Sequence, residues 1–258
     1  MDNWPKHSTN WGKLGPPLKP APSVIEKYSE LVPNGKVMML GVTPEIYHVF
    51  DNILAVDINP SMLTNVWLGD TETKKAIVGD WITYETEQKF DGIVGDISLT
   101  LMGNKETITK FNQKSFNWLN SNGVMAQRIF HSTVTELPYE YLVLLTTSEA
   151  PMNWHAYKWL LHIYLATSTK TQRIRQSDVR DLFNKICPDR NVLSQMTGWH
   201  IDAINTIDFY ENATQEITVL SKEQWLETIP KNAVDVEFVY TEGYDICNLF
   251  PILKYRHV

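Results

Sequence analysis

Four short apolar runs, each closed by a glycine, an aspartate or both, constrain this chain more than any other feature. The first is Val37 to Leu40, whose four consecutive apolar residues leave no polar side to show to water, so it reads as a strand buried on both faces. Gly41 lets the backbone turn sharply. Thr43, Pro44 and Glu45 then open a helix: an N-cap hydroxyl, a residue that needs no N–H there, and an acid suited to the positive end of the helix dipole. The second run, Ile53 to Val56, ends in Asp57, and Asn59, Pro60 and Ser61 start the next helix. A third, Ala76 to Val78, ends in Gly79-Asp80-Trp81, and a fourth, Phe90 to Gly95, ends in Asp96 and Ser98. Such alternation demands right-handed crossovers and a mostly parallel sheet. Ligands of open parallel sheets sit beyond the carboxyl ends of the strands.

Those strand ends carry the residue types a nucleoside needs. A strand, a tight glycine turn and a helix N-terminus form a nucleotide-type pocket. An acid at the tip of strand two, Asp57, is placed to accept both hydroxyls of a ribose. Asp80 can accept from an adenine amino group while a neighbour such as Trp81 covers the ring, and Asp96 and Ser98 face the same crevice. Any one of these could be a solvated turn residue; together, in step with the alternation, they argue for one shared site. The turn holds one glycine where a dinucleotide dehydrogenase more often has three, which disfavours NAD.

The order LGVTPE, AVDINPSML, GDW and FDGIVGD resembles the nucleotide-binding half of class I S-adenosylmethionine-dependent methyltransferases: their motif I, the acidic end of strand two, the adenine-contacting loop and the motif after strand four. The front end, Trp11 to Pro20, resembles the N-terminal segment of a bacterial subgroup of small members. The resemblance covers about residues 4 to 130 and only loosely the rest, and motif I keeps a single glycine, Gly41, of the family's usual run. It implies an α/β, Rossmann-like fold: a seven-stranded, mostly parallel sheet with an antiparallel last strand, helices on both faces and a helical insertion after strand five. It implies S-adenosyl-L-methionine as methyl donor, S-adenosyl-L-homocysteine as product and a small organic molecule as acceptor. Donor contacts carried over by position are Trp11, Gly41, Val42, Thr43, Asp57, Ile58, Met62, Gly79, Asp80, Trp81, Asp96 and Ser98. It also suggests that residues 1–22 are an arm over the donor site and 23–258 the catalytic domain, with a helical cap at about 133–215.

Composition narrows the class. A chain of 258 residues can bury a full core as one domain, with or without an inserted cap, and two domains are the upper limit. A hydrophobic share of 43% and a charged share of 21% fit a soluble globular protein, and no apolar run is long enough to cross a bilayer. The first ten residues lack an apolar h-region, so no secretion signal is expected. Cys187 and Cys247 have no ligand spacing, which fits a reducing cytoplasm and structural thiols. A net charge of −7 argues against nucleic acid, whose phosphates need clustered Lys and Arg. Lys170, Arg173, Arg175 and Arg180 are more simply a solvated helix face than a basic patch. No HExxH, paired-Cys, GxSxG or GxxxxGK[ST] pattern is present, so no metal site is expected. Oligomeric state is left open.

Along the chain, residues 1–22 lack periodicity, and Pro16, Pro17, Pro20 and Pro22 favour an extended arm. Its tryptophans, Trp4 and Trp11, are expected to pack either on the outside of the sheet or over the pocket. Ser23 is expected to cap a helix through Leu31; later helices are expected at Ser61 to Trp67 and Lys105 to Asn120, the latter stopped by Asn122-Gly123. Strand five, Val124 to Phe130, delivers Arg128 and His131 near the crevice. Residues 133–185 read as three helices, at about 135–146, 153–167 and 175–186, with no strand between them. In the middle helix Trp154 and Tyr157 follow an aromatic face that is either core or a roof over an acceptor. Residues 186–215 show only short elements. A helix at Lys222 to Thr228, a strand at Val234 to Tyr240, a turn at Glu242-Gly243-Tyr244 and a last strand at Ile246 to Tyr255 complete the chain.

Methyl transfer from a sulfonium is an in-line displacement by an already activated donor, so positioning carries most of the catalysis. Where the acceptor must lose a proton, the candidate bases are His131 and Asp96; Arg128, Trp154 and Tyr157 are the candidate acceptor contacts. The same donor pocket would also serve a lyase or cyclase that breaks the sulfonium without an acceptor, or a nucleoside-binding regulator without turnover.

Overall fold

The computed structural model describes residues 4–133, 136–147 and 152–258. Helix α1 (Trp4–Thr9) and a 3-10 turn at Trp11–Lys13 lie in the segment expected to be irregular. Helix α2 (Pro22–Leu31) leads into strand β1 (Lys36–Leu40). Then follow α3 (Pro44–Tyr47), β2 (Asn52–Asp57), α4 (Pro60–Asn65), β3 (Lys74–Val78), β4 (Phe90–Asp96), α5 (Lys105–Phe116) and β5 (Leu119–Arg128). A largely helical segment comes next: α6 (Tyr139–Leu145), α7 (Trp154–Thr169), β6 (Arg173–Arg175), α8 (Gln176–Ile186), α9 (Arg190–Thr197), α10 (Ile201–Asn205), a 3-10 segment at Thr206–Tyr210, and β7 (Glu216–Thr218). Helix α11 (Lys222–Leu226), β8 (Val234–Val239) and β9 (Ile252–Arg256) close the chain.

Seven strands form one sheet in the order β3-β2-β1-β4-β5-β9-β8. All neighbours from β3 to β5 are parallel, and the last strand, β9, runs antiparallel between β5 and β8. This is the Rossmann-like sheet expected of the sequence. The period-two rule explains its two faces. Val37 and Met39 enter a layer with Val24 and Tyr28 of α2, while Met38 and Leu40 enter the opposite layer with Ile108, Phe111 and Phe116 of α5. Burying each such side chain contributes roughly 1.5–3 kcal/mol, so β1 is anchored from both faces. A third cluster lies in the segment between β5 and β8, around Trp154, Tyr157, Phe183 and Trp199.

Several local expectations are corrected. Helix α2 starts at Pro22 with Ala21 as N-cap, and the Ser23 hydroxyl donates instead to the Glu242 carbonyl at 2.6 Å. Asn59 opens α4 as expected, its side chain accepting from the Ser61 amide, but the helix runs over Pro60–Asn65 and stops short of Trp67. Helix α5 stops at Phe116, and Asn122, with φ of 64°, turns inside β5 rather than ending a helix. Residues 133–185 do contain a strand: β6 pairs antiparallel with β7, a long-range partner that local periodicity could not reveal. The expected start of the first of the three helices, at 135, lies outside the described residues. Three of the four basic residues of the possible patch are paired with acids. Arg173 and Arg175 pair with Glu216, and Arg180 with Asp208 and Glu211.

Candidate functional site

A cavity of about 610 Å³ opens beyond the carboxyl ends of β1, β2 and β4 and the turn after β3, and the segment between β5 and β8 closes its far side. The turn after β1 is shaped by Gly41, whose φ of +81° favours glycine. A Cβ there would stand 3.4 Å from the Trp81 ring and 3.6 Å from Asp57 Oδ2. Asp57 secures this turn from the neighbouring strand: Oδ2 accepts from the Val42 amide at 2.9 Å and Oδ1 from the Asn59 amide at 2.8 Å. Asp80 holds its own turn by accepting from the Ile82 amide at 2.9 Å. The indole of Trp81 donates to the Val56 carbonyl at 2.5 Å, which sets the ring across Gly41. Two apolar side chains that line the cavity remain wet, Ile58 at 58% and Ile82 at 44% exposure. Exposed isoleucines in a concave site are surface that an apolar ring would cover.

Past β4 the backbone is strained. Ile97 adopts a left-handed conformation, φ 62°, which costs a β-branched residue about 1–2 kcal/mol. The conformation carries Asp96 and Ser98 to the cavity wall, where the Ser98 hydroxyl donates to the Leu40 carbonyl at 2.6 Å. Asp96 is buried against Arg128, with Nε to Oδ1 at 2.5 Å and Nη2 to Oδ2 at 2.9 Å. The same Nη2 donates to the Pro17 carbonyl at 2.8 Å, tying the N-terminal arm to the sheet. Burial raises the Asp96 carboxyl above its ordinary range, against the downward pull of the Arg128 guanidinium.

Of the twelve positions expected to hold the donor, eleven border this one cavity: Trp11, Gly41, Val42, Thr43, Asp57, Ile58, Met62, Asp80, Trp81, Asp96 and Ser98. Gly79 is not among its lining residues. Its amide donates to the Asp57 carbonyl at 2.9 Å, which continues the β2–β3 ladder.

The candidate catalytic and acceptor residues fare differently. His131 does not line the cavity: its ring is buried near Phe238 and Tyr240, and Nε2 lies 3.2 Å from the Asn248 carbonyl. Burial lowers its pKa, with Lys222 adding to the effect. The chain bends after Arg128, and His131 joins Leu220 and Leu249 on the far side of the strand end. Arg128 is likewise absent from the lining, its guanidinium being used on Asp96 and Pro17. Trp154 and Tyr157 are interior to the helical segment: the indole donates to Thr206 Oγ1 at 3.1 Å and the phenol to the Leu142 carbonyl at 3.3 Å. The aromatic face is core rather than a roof over an acceptor.

Other residues complete the wall. Trp4, His7, Leu14 and Leu18 of the arm border the cavity beside Trp11, whose indole donates to Glu45 Oε1 at 3.2 Å. Two tryptophans in a polar arm were the available signal. From the helical segment come Trp159, Gln176 and Tyr210. Behind them lies a buried group of bases. Burial holds His7 and His155 down to about 3, with Lys158 adding to both, and His162 down to about 4. Burial alone lowers Lys158 to about 7; its ammonium meets Thr206 Oγ1 at 3.3 Å and lies 5.1 Å from the centre of the Tyr210 ring. These residues are scattered over three segments, so no sequence spacing announced them. Among the described residues, no group of three or more His, Cys, Asp or Glu is arranged to hold a metal ion, and no helix is long and apolar enough to cross a membrane.

Neither a protein-family model nor a curated protein sequence matches this chain. Solved structures do. The N-methyltransferase NodS of Bradyrhizobium japonicum, in complex with S-adenosyl-L-homocysteine, is similar at a TM-score of 0.50 and 10% identity, over 99% of each chain. A S-adenosylmethionine-dependent methyltransferase of Methanosarcina mazei gives 0.50 at 10% identity, over 93% of this chain and 99% of the other. A structure from Rhodobacter sphaeroides described as a zinc-dependent alcohol dehydrogenase gives 0.62 at 9% identity, over 99% of this chain and 96% of that one. Together with the strand order, these likenesses show a Rossmann-like fold that this chain shares with the two methyltransferases.

Proposed function

We propose that this chain is an S-adenosylmethionine-dependent methyltransferase that acts on a small organic acceptor. One observation carries the reading: Gly41, Asp57, Asp80 and Asp96, from four separate strand ends, border a single cavity. A nucleoside laid along those tips has its ribose at Asp57 and its base between Ile58 and Ile82, near Asp80. Gly41 and Val42 pass beneath it just before α3, and Asp96, paired with Arg128, faces the donor's amino group. The arm, with Trp4 and Trp11, shields the site from water, and the cap lines the acceptor end. Asp96 is then committed to Arg128 and the donor, and His131 faces away from the cavity, so neither acts as a base; catalysis rests on alignment of the acceptor with the methyl group.

Calorimetry with S-adenosylhomocysteine is the test. The parent should bind, and Asp57→Ala should weaken binding at least about tenfold, since carboxylate hydrogen bonds are worth about 1.5–3 kcal/mol each. An unchanged affinity in that variant removes the ribose from Asp57. Turnover with methyl-labelled donor then separates methyl transfer from sulfonium cleavage: labelled acceptor with S-adenosylhomocysteine in the first case, methylthioadenosine in the second, and no release from a regulator.

A further inference from the structure

We infer that the acceptor carries a carboxylate, read at the cap wall by the Tyr210 hydroxyl with the Lys158 ammonium behind it. The inference rests on the methyltransferase reading of the cavity and names the acceptor class for that site.

Lys158 is fully buried and has no ion pair among the described residues. Its neighbours come from three elements. His7 of α1, His155 and His162 of α7, and Tyr210 and Thr206 of the 3-10 segment surround it, and all are neutral or cationic. The one carboxylate of that 3-10 segment, Asp208, is held by Arg180 and Arg190. Buried charges are ordinarily paired, because an isolated one costs several kcal/mol. His155 and His162 are neutral: each donates from one ring nitrogen to a main-chain carbonyl, His155 Nε2 to Lys13 at 3.2 Å and His162 Nδ1 to Lys158 at 2.9 Å, so neither offsets the Lys158 charge. The group thus holds one buried cation, Lys158, and among the described residues no anion paired with it.

Tyr210 connects this group to the cavity. It borders the cavity at 1% exposure, and its hydroxyl makes no hydrogen bond among the described residues. Burial raises its pKa, so the phenol keeps its proton and donates. The carboxylates of the cavity wall are already matched and do not supply the missing anion: Asp57 and Asp80 accept from main-chain amides, Asp96 pairs with Arg128, and Glu216 pairs with Arg173 and Arg175. An acceptor presenting an ammonium to this wall would meet like charge. One presenting a carboxylate gains a charge-assisted hydrogen bond from Tyr210 and neutralises Lys158.

Calorimetry on the S-adenosylhomocysteine complex, with benzoate, benzamide and benzylamine as probes, tests this. Near pH 6 benzoate should bind at least about tenfold tighter than benzamide, and the gap should narrow near pH 9 as Lys158 loses its proton. Lys158→Met, which swaps a buried cation for an apolar chain of similar length, should close the gap and abolish its pH dependence; Tyr210→Phe should weaken benzoate severalfold and leave benzamide unmoved. Equal binding of benzoate and benzamide by the parent, or preference for benzylamine, overturns the inference while leaving the methyltransferase reading intact. Loss of S-adenosylhomocysteine affinity in Lys158→Met, with the benzoate preference unmoved, assigns the charge to the donor's own carboxylate and also overturns it. A parent that fails to bind S-adenosylhomocysteine brings down the methyltransferase reading, and this inference with it.

Discussion

The two walls of the cavity treat charge in opposite ways. At the strand tips every carboxylate has a partner: Asp57 and Asp80 are met by main-chain amides and Asp96 by Arg128. At the cap wall His155, Lys158 and His162 are buried with no carboxylate paired to them among the described residues. A compensated wall is stable in itself and holds a ligand by geometry. An uncompensated wall stores a penalty that a ligand of the right charge can relieve. The difference implies that stability should respond to mutation on one wall and to pH on the other.

The largest effect expected is on the first wall. Arg128→Met leaves Asp96 buried without its partner and should cost about 3–5 kcal/mol in urea unfolding. Adding Asp96→Leu should recover most of that, because the pair together can be exchanged for apolar contacts at little cost. A single-variant loss below about 1 kcal/mol would show that the two walls do not differ.

The cap wall is the place to look for acid sensitivity. The histidines titrate near 6.5 when unfolded, but His162 is held down to about 4 and His7 and His155 to about 3 in the folded chain. The unfolded state therefore binds more protons in that window, and stability should fall as pH drops below about 6.5. His162 alone accounts for on the order of 3 kcal/mol by pH 4. His162→Gln should flatten that part of the thermal-melt profile. For Lys158, held down to about 7 from 10.5, the same sign applies higher up: the cost of charging is full below 7 and is relieved towards 10.5. Lys158→Met should abolish that alkaline gain.

Gly41→Ala sharpens the comparison from the backbone side. The added Cβ meets Trp81 at 3.4 Å and Asp57 at 3.6 Å, which is ordinary contact, so the cost is the left-handed conformation alone, about 1–2 kcal/mol. A larger loss in urea unfolding would mean that the turn itself, not only its φ, had been displaced.

The strand tips were legible because the signals are local. An apolar run, a turn residue and a helix start lie within about ten residues of one another, and eleven of twelve expected positions came together at one cavity. The misses have a shared cause in longer range. Strand β6 exists through β7, more than forty positions away, and three apolar-poor residues carry no periodicity of their own. His131 was expected at the crevice from its place after β5, but the chain leaves the sheet beyond Arg128 and turns His131 towards Asn248. The cap bases sit on α1 and α7 and beside Tyr210, which no spacing rule connects. Ile97 had no signal at all, since a β-branched residue is the last to be expected at positive φ.

Thr43 gives the smallest effect and separates cap from ligand most finely. Its position before Pro44 makes it the N-cap of α3, yet its side chain makes no capping bond, and it borders the cavity. A four-residue helix beginning with proline has few amide donors for a cap to satisfy, and Ile46 reaches the Thr43 carbonyl at 3.0 Å instead. Thr43→Ala should therefore change urea stability by less than about 0.5 kcal/mol, against about 1 kcal/mol for a working cap. If the hydroxyl serves a ligand on the compensated wall, S-adenosylhomocysteine affinity should fall severalfold while Thr43→Ser restores it. A stability loss of about 1 kcal/mol with affinity unchanged would return Thr43 to the helix and leave Gly41 and Val42 to receive the donor by main chain alone.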